Sequence, residues 1–175
     1  MSTRTMHPTA KTSVPQIPAA YTEPQLKHVY RNTINLDYGG GRFEKATQHL
    51  GKTCGCLNLV YDPHCRTPAH NIEIICRVQR DELVTVLSCL NVLNILLDKK
   101  DRDEAIEAIK YLAQWHSNIK HLVFQVYTKD STGKPTKSQL NKKAEFYWET
   151  LLAEFCGWNS EIIGDKKNII HFWRD

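Results

Sequence analysis

From Ile34 onward, short β-prone runs alternate with helix-length amphipathic stretches, and this alternation restricts the chain to a mostly parallel sheet covered by helices on both faces. Ile34–Tyr38 reads as a first strand, broken sharply by Gly39-Gly40-Gly41 before a helix expected over Arg42–Leu50. A second strand, Leu57–Tyr61, ends in Asp62-Pro63, and Pro68 is placed to open a helix that runs to Arg80. Leu83–Leu90 is a third, nearly continuous apolar strand. Over Asp101–Trp115 the apolar positions Ala105, Ile106, Ile109, Leu112 and Ala113 share one helical face. His121–Tyr127 is a fourth strand, Gln139–Phe155 a last helix, and Glu161–Ile163 with Asn168–Trp173 a closing hairpin around Gly164-Asp165-Lys166-Lys167.

Length and composition agree with one globular domain. A chain of 175 residues, 41% hydrophobic and 24% charged, can bury about 70% of its unfolded surface and needs neither metal nor disulfide. The run Leu83–Leu97 is interrupted by Ser88, Asn91 and Asn94 and falls short of the roughly 20 apolar residues of a membrane span. Met1–Ala20 has no continuous apolar stretch of signal-peptide length, so a cytoplasmic protein with its six cysteines as free thiols is expected. Four of the seven prolines fall before Gln25, which makes residues 1–24 an expected flexible arm ahead of a domain over 25–175, with a short helix around Gln25–Asn32. A net charge of +4 permits weak attraction to nucleic acid but lacks the concentrated charge of dedicated binders.

Chemistry concentrates at the glycine turn. Glycine alone lets a backbone turn this tightly between strand and helix and approach a ligand, and the helix start offers free N–H groups to a phosphate or a carboxylate. Asp62 stands 25 residues beyond Asp37 at the end of the next strand, where nucleotide-binding sheets present a carboxylate to ribose hydroxyls. Adjacent parallel strands bring both to one crevice. Asp62 is also placed to cap the turn with Pro63, and the two roles are compatible.

Leu36-Asp37-Tyr38-Gly39-Gly40-Gly41, Leu59-Val60-Tyr61-Asp62-Pro63 and Ser88-Cys89-Leu90-Asn91-Val92-Leu93-Asn94, in that order and spacing, resemble the class I S-adenosylmethionine-dependent methyltransferases, in particular small stand-alone bacterial and phage members. The resemblance covers about Ile34 to Tyr127 and implies a Rossmann-like α/β fold that binds S-adenosylmethionine. It places the methionine part of that cofactor on Gly39–Gly41, with Asp37 behind the loop and Tyr38 beside it. The ribose falls to Asp62 with Pro63, and the methyl-transfer site to Asn91 and, less directly, Asn94.

Several features depart from that pattern. Phe43 stands at the third spaced glycine, and the stretch between Arg80 and Leu83 is too short for a further edge strand with its adenine-contacting acid, so the sheet is expected to lack one. No Asn-Pro-Pro-Tyr, Asp-Pro-Pro-Tyr or Pro-Cys motif occurs, so neither a catalytic base nor a methyl acceptor is assigned. The alternatives are a non-enzymatic interaction module on a degenerate methyltransferase fold, such as a viral or bacterial factor acting on a host protein, or a lyase or hydrolase acting on the cofactor itself.

Other residues have plainer readings. Cys54, Cys56, His64, Cys65 and His70 match no common zinc module and flank opposite ends of one strand, so no metal site is expected. Cys76 and Cys89 read as small core residues, and Lys99–Glu104 as a solvated helix start. Lys129–Lys143 holds five lysines beyond the fourth strand, making Lys134 and Lys137 candidates for an anionic substrate, or else a solubilising loop. The aromatic C-terminal third, with Phe146, Tyr147, Trp148, Phe155, Trp158, Phe172 and Trp173, serves a core or an oligomer contact; sequence does not fix the oligomeric state.

Overall fold

The computed structural model describes residues 16–80, 83–127 and 139–175. Strands β1 (Ile34–Tyr38), β2 (Leu57–Tyr61), β3 (Val84–Leu90), β4 (His121–Gln125), β5 (Asn159–Ile163) and β6 (Ile169–Trp173) form one six-stranded sheet in the order β2-β1-β3-β4-β6-β5. The first four are parallel and β6 is antiparallel to both β4 and β5, so the closing hairpin is present. Among the described residues no strand lies beyond β2.

Helices α1 (Lys27–Tyr30) and α2 (Lys45–Cys54) cover one face of the sheet, while α3 (Pro68–Arg80), α4 (Lys99–Trp115) and α5 (Ala144–Glu154) cover the other. Each boundary has a local cause. Pro68 opens α3 while Thr67 Oγ1 accepts the His70 N–H at 3.2 Å. Gly55, at φ +65°, ends α2 and sends its N–H to Gly51 C=O while Cys56 N–H reaches Leu50 C=O. The buried positions Ala144, Tyr147, Trp148 and Leu151 recur at helical spacing, and with Phe155 and Phe172 they place most of the C-terminal aromatics in the core. Phe146 points outward.

Four expectations are corrected. The helix after the glycine turn begins at Lys45, not Arg42, because the turn is tied to a distant residue before a helix can start, and the last helix begins at Ala144, not Gln139. Cys76 is exposed, since the buried face of α3 runs through Asn71, Ile74 and Val78; Cys89 is buried as expected. Residues 16–24 are not a free arm: Ala20 and Tyr21 are buried, and the Ala20 N–H donates to Gln125 Oε1 at 2.7 Å.

Tyr21 also joins a buried polar chain on that sheet face. Its hydroxyl meets Ser88 Oγ at 3.0 Å, and Ser88 donates to Asn35 Oδ1 at 3.0 Å. Asn35 Nδ2 in turn donates to Asn58 Oδ1 at 2.6 Å, and Asn58 Nδ2 to Asp37 Oδ2 at 3.3 Å. The chain crosses β3, β1 and β2 and ends directly behind the glycine turn.

Candidate functional site

From β1 the chain crosses to β2 on one side and then to β3 on the other, so the strand order reverses at β1. In open α/β sheets, ligands enter the crevice beyond the carboxyl ends of the strands at such a switch point. Here that edge carries Gly39–Gly41 after β1, Asp62-Pro63 after β2 and Asn91–Asn94 after β3. The glycine turn, Asp62-Pro63 and Asn91–Asn94 therefore lie on one edge.

Gly39 and Gly41 have φ of +80° and +76°, and Gly39 N–H donates to Tyr61 C=O at 2.7 Å. A side chain is excluded here by the protein itself. A Cβ on Gly39 would stand 2.4 Å from Val92 Cγ2, and one on Gly40 2.6 Å from Asp37 Oδ2. The glycine turn thus touches the loop after β3 on one side and the Asp37 carboxylate on the other. Tyr38 and Tyr61 lie together at the ends of β1 and β2, ring centroids 5.5 Å apart.

Asp62 is buried and already engaged. Its Oδ2 accepts the Gly41 N–H at 2.9 Å, and its Oδ1 accepts the N–H groups of His64 and Cys65, each at 2.8 Å. The Cys65 thiol bonds the same carboxylate, so the chain itself takes most or all of its roughly four acceptor positions. Of the two roles weighed for Asp62, its hydrogen bonds are those of the capping role. Arg66 completes the clamp: its Nε donates to Gly41 C=O at 2.7 Å and its Nη2 pairs with Glu44 at 2.6 Å. Asn71 holds the Asp62 main chain on both sides, accepting from its N–H at 3.0 Å and donating to its C=O at 2.9 Å.

Asp37 is buried with Oδ1 unpaired, and burial pushes its carboxyl up to about 6, an effect to which the nearby Asp62 charge adds. Asn91 sits at φ +62°, its N–H on Gln125 C=O at 2.7 Å and its Oδ1 accepting from Gln125 Nε2 at 3.1 Å. Through Gln125 the loop after β3 is tied to the N-terminal segment at Ala20. Asn94 is fully buried. Lys134 and Lys137 lie outside the described residues. His70 Nε2 is 2.9 Å from Val60 C=O, so its ring serves the edge strand.

The sheet, its strand order and its crevice now admit comparison with solved structures. A protein-(glutamine-N5) methyltransferase, release factor-specific, from Alicyclobacillus acidocaldarius superposes with a TM-score of 0.51 over 96% of this chain and 97% of its own, at 14% identity. The fold is that of the Rossmann-like methyltransferases. Fibrillarin, in a complex with Nop5p, matches with the same TM-score and identity over 93% of this chain and 83% of that one. No family model and no curated protein sequence matches the chain. Among the described residues, no helix is long and apolar enough to cross a membrane.

Arg66, Asn71, Gln125 and the ladder of Asn35, Asn58 and Ser88 escaped sequence reading. The one available signal was polar residues inside otherwise apolar strands, at Asn35, Asn58, Ser88 and Gln125, each without an exposed face to serve.

Proposed function

We propose that the chain binds S-adenosylmethionine at the carboxyl edge of β1, β2 and β3 and acts as a small methyltransferase. The observation that carries this reading is the joining of the Gly39–Gly41 turn to Asp62 at the switch point of a methyltransferase-like sheet. In this reading the turn and its backbone hold the methionine portion, with Asp37 supporting the turn and Tyr38 flanking it. Asp62, beside Pro63, meets a ribose hydroxyl by exchanging one of its present partners, and Asn91 borders the acceptor. When bound, S-adenosylmethionine supplies an electrophilic methyl group on a sulfonium sulfur. The residues present fit that group: a backbone turn at left-handed φ, the Asp62 carboxylate at the end of β2 and a loop held by Gln125. Holding an already nucleophilic acceptor in line is then the protein's main task, and no separate base is required.

A second reading, a non-enzymatic interaction module that keeps the fold, is favoured by one observation: three of the Asp62 acceptor positions serve the chain's own backbone. Calorimetric titration with S-adenosylmethionine and, separately, S-adenosylhomocysteine separates the two. The methyltransferase reading expects saturable one-site binding of both, with S-adenosylmethionine intact in the absence of acceptor. Binding of neither overturns it, and consumption of the cofactor without acceptor replaces it with a lyase or hydrolase.

A further inference from the structure

The two faces of the sheet differ in charge. Between Lys27 and Cys54, the stretch that holds α1 and α2, five cations (Lys27, Arg31, Arg42, Lys45 and Lys52) stand against two acids, Asp37 and Glu44. Asp37 is buried under the glycine turn and Glu44 is paired with Arg66, while all five cations are exposed. Among the described residues none of the five forms a salt bridge. The helices of the opposite face are unlike this. There α4 and α5 carry four Lys and Arg against seven Asp and Glu. The lysines of α4 are matched: Lys99 to Asp103 at 2.6 Å, Lys100 to Glu104 at 3.9 Å and Lys110 to Glu154 at 2.6 Å. A net charge of +4 over the whole chain thus conceals one strongly basic face.

The needs of α2 do not account for these charges. Lys52, in its last turn, suits the helix dipole, but Lys45 is the first residue of a helix with no acid in its first turn, where the positive end of the dipole opposes it. Lys45, Gln48, His49 and Lys52 recur at helical spacing on the outward side, over the buried Ala46, Leu50 and Cys54. Lys45 and Lys52 stand about 10 Å apart along the axis.

At the far end of α2, an open cavity of about 340 Å³ is lined by Lys27, Arg31, Asn32, Thr53 and Cys54. Its wall is fixed where the Asn32 N–H donates to Cys54 C=O at 2.8 Å. Two cations with no acid beside them repel each other, and an anion seated between them removes that repulsion. At the near end, Arg42 follows the glycine turn with its guanidinium 5.1 Å from the Phe43 ring centroid. Cations therefore run from the cavity along α2 to the rim of the crevice.

A row of cations without intervening acids fits a polyanion. The apolar residues decide which kind. A helix that rests on an anionic membrane sinks an apolar face into it. Here Val29, Tyr30, Ala46, Leu50 and Cys54 are turned into the core, and no large apolar side chain of α1 or α2 is exposed.

We propose that the outward face of α1 and α2 binds the phosphate backbone of nucleic acid, with one phosphate seated in the cavity between Lys27 and Arg31 and others along Lys52, Lys45 and Arg42. The inference goes beyond the methyltransferase reading and stands without it.

The test is fluorescence anisotropy of the full chain with labelled oligo(dT) and oligo(dA) from about 50 to 300 mM salt. Both oligomers should bind alike, because contacts to phosphate carry no base information. Five neutralised phosphates on a single strand give a slope of log affinity against log salt of about −3.5. Lys27→Gln with Arg31→Gln, and separately Lys45→Gln with Lys52→Gln, should each flatten that slope by about 1.4 and weaken binding at least about tenfold at the low-salt end. Lys99→Gln with Lys100→Gln, on the opposite face, should change neither. All six positions are exposed, so circular dichroism should show the parent's melting in each variant. Failure of both oligomers to bind at low salt, affinity that does not fall with salt, or α1 and α2 variants that bind as the parent does would overturn the proposal. Sedimentation with vesicles containing phosphatidylserine completes the test: capture by vesicles without oligonucleotide binding would assign the face to a membrane surface and overturn it as well.

Discussion

Replacing Asp37 by asparagine should stabilise the protein at neutral pH. The carboxyl is buried, one oxygen has no partner, and burial raises its pKa from 3.8 to about 6. A raised folded-state pKa means that the stability associated with the protonated group is fully present below 3.8 and is lost as pH rises through about 6. A shift of this size corresponds to about 3 kcal/mol, so at pH 7 the charged Asp37 costs the fold about that much relative to acid. Asparagine keeps the shape, offers Oδ1 to Asn58 and carries no charge. Its amide nitrogen inherits the unpaired position, which offsets about 1 to 2 kcal/mol. The net gain at pH 7 to 8 is therefore about 1 to 2 kcal/mol, a rise of roughly 2 to 8 °C in Tm for a chain of this size. Urea denaturation followed by tryptophan fluorescence, at intervals from pH 4 to 8, measures it. The difference in unfolding free energy between Asp37→Asn and the parent should climb between about pH 4 and 6 and then stay level. Groups common to both proteins, such as the histidines, cancel in that difference. A difference that does not change with pH, or one that falls as pH rises, would refute the assignment of Asp37 as a carboxyl held against its own ionisation.

Asp62→Ala strands the N–H groups of Gly41, His64 and Cys65, so it should destabilise the fold by about 3 kcal/mol and, where still folded, weaken S-adenosylmethionine binding about tenfold, both readable by melting with and without the cofactor. Gly39→Ala places a Cβ against Val92 at a left-handed φ and should cost about 2 kcal/mol in denaturant titration; an unchanged midpoint would show that the turn relaxes freely. His121 and His171 meet Nδ1 to Nε2 at 3.0 Å, and burial lowers both, His121 to about 4. Lowered folded-state values give stability that is full above about 6.5 and lost as pH falls toward 4. His121→Phe should therefore remove about 1 to 2 kcal/mol of acid sensitivity in that window, a figure reduced for the ring's partial exposure to water. Identical acid melting curves for variant and parent would dispose of that cause.

β1 to β4 and β6 were readable because each is a β-prone, mainly apolar run, with β1 ending at Gly39 and β2 at Asp62-Pro63; β5 begins at Asn159-Ser160, two residues before its apolar signal. Helix starts were less so. Lys45 begins α2 three residues later than local composition suggests, because Arg66 and Asp62 hold both sides of the Gly41 peptide, and contacts over such a chain distance leave no local trace. Cys76 shows the hazard of judging burial from sequence neighbours: Ile74, Ile75 and Val78 surround it in the chain, yet helical period turns it away from the face that Ile74 and Val78 bury. The proline-rich start reads as an arm by composition, whereas Ala20 and Tyr21 find partners in Gln125 and Ser88, polar side chains inside strands that local patterning gives no reason to pair with it.

The same distinction explains the site. Sequence order places a carboxylate beside a glycine turn because both end adjacent parallel strands, and the structure keeps that adjacency. What the order does not carry is how the carboxylate divides its bonds. Three backbone N–H groups take most of Asp62, and one of them belongs to the glycine turn itself, so the two features long separated in the chain form one rigid unit. A ligand entering this edge meets a surface already set and gives up little free energy to ordering it. The same engagement narrows what can be recognised, since a carboxylate whose acceptor positions serve the Gly41, His64 and Cys65 groups leaves little for the two hydroxyls of a ribose. Affinity for a nucleoside must then come largely from elsewhere on the edge, and Tyr38, Tyr61 and the loop held by Gln125 are the surfaces available to supply it.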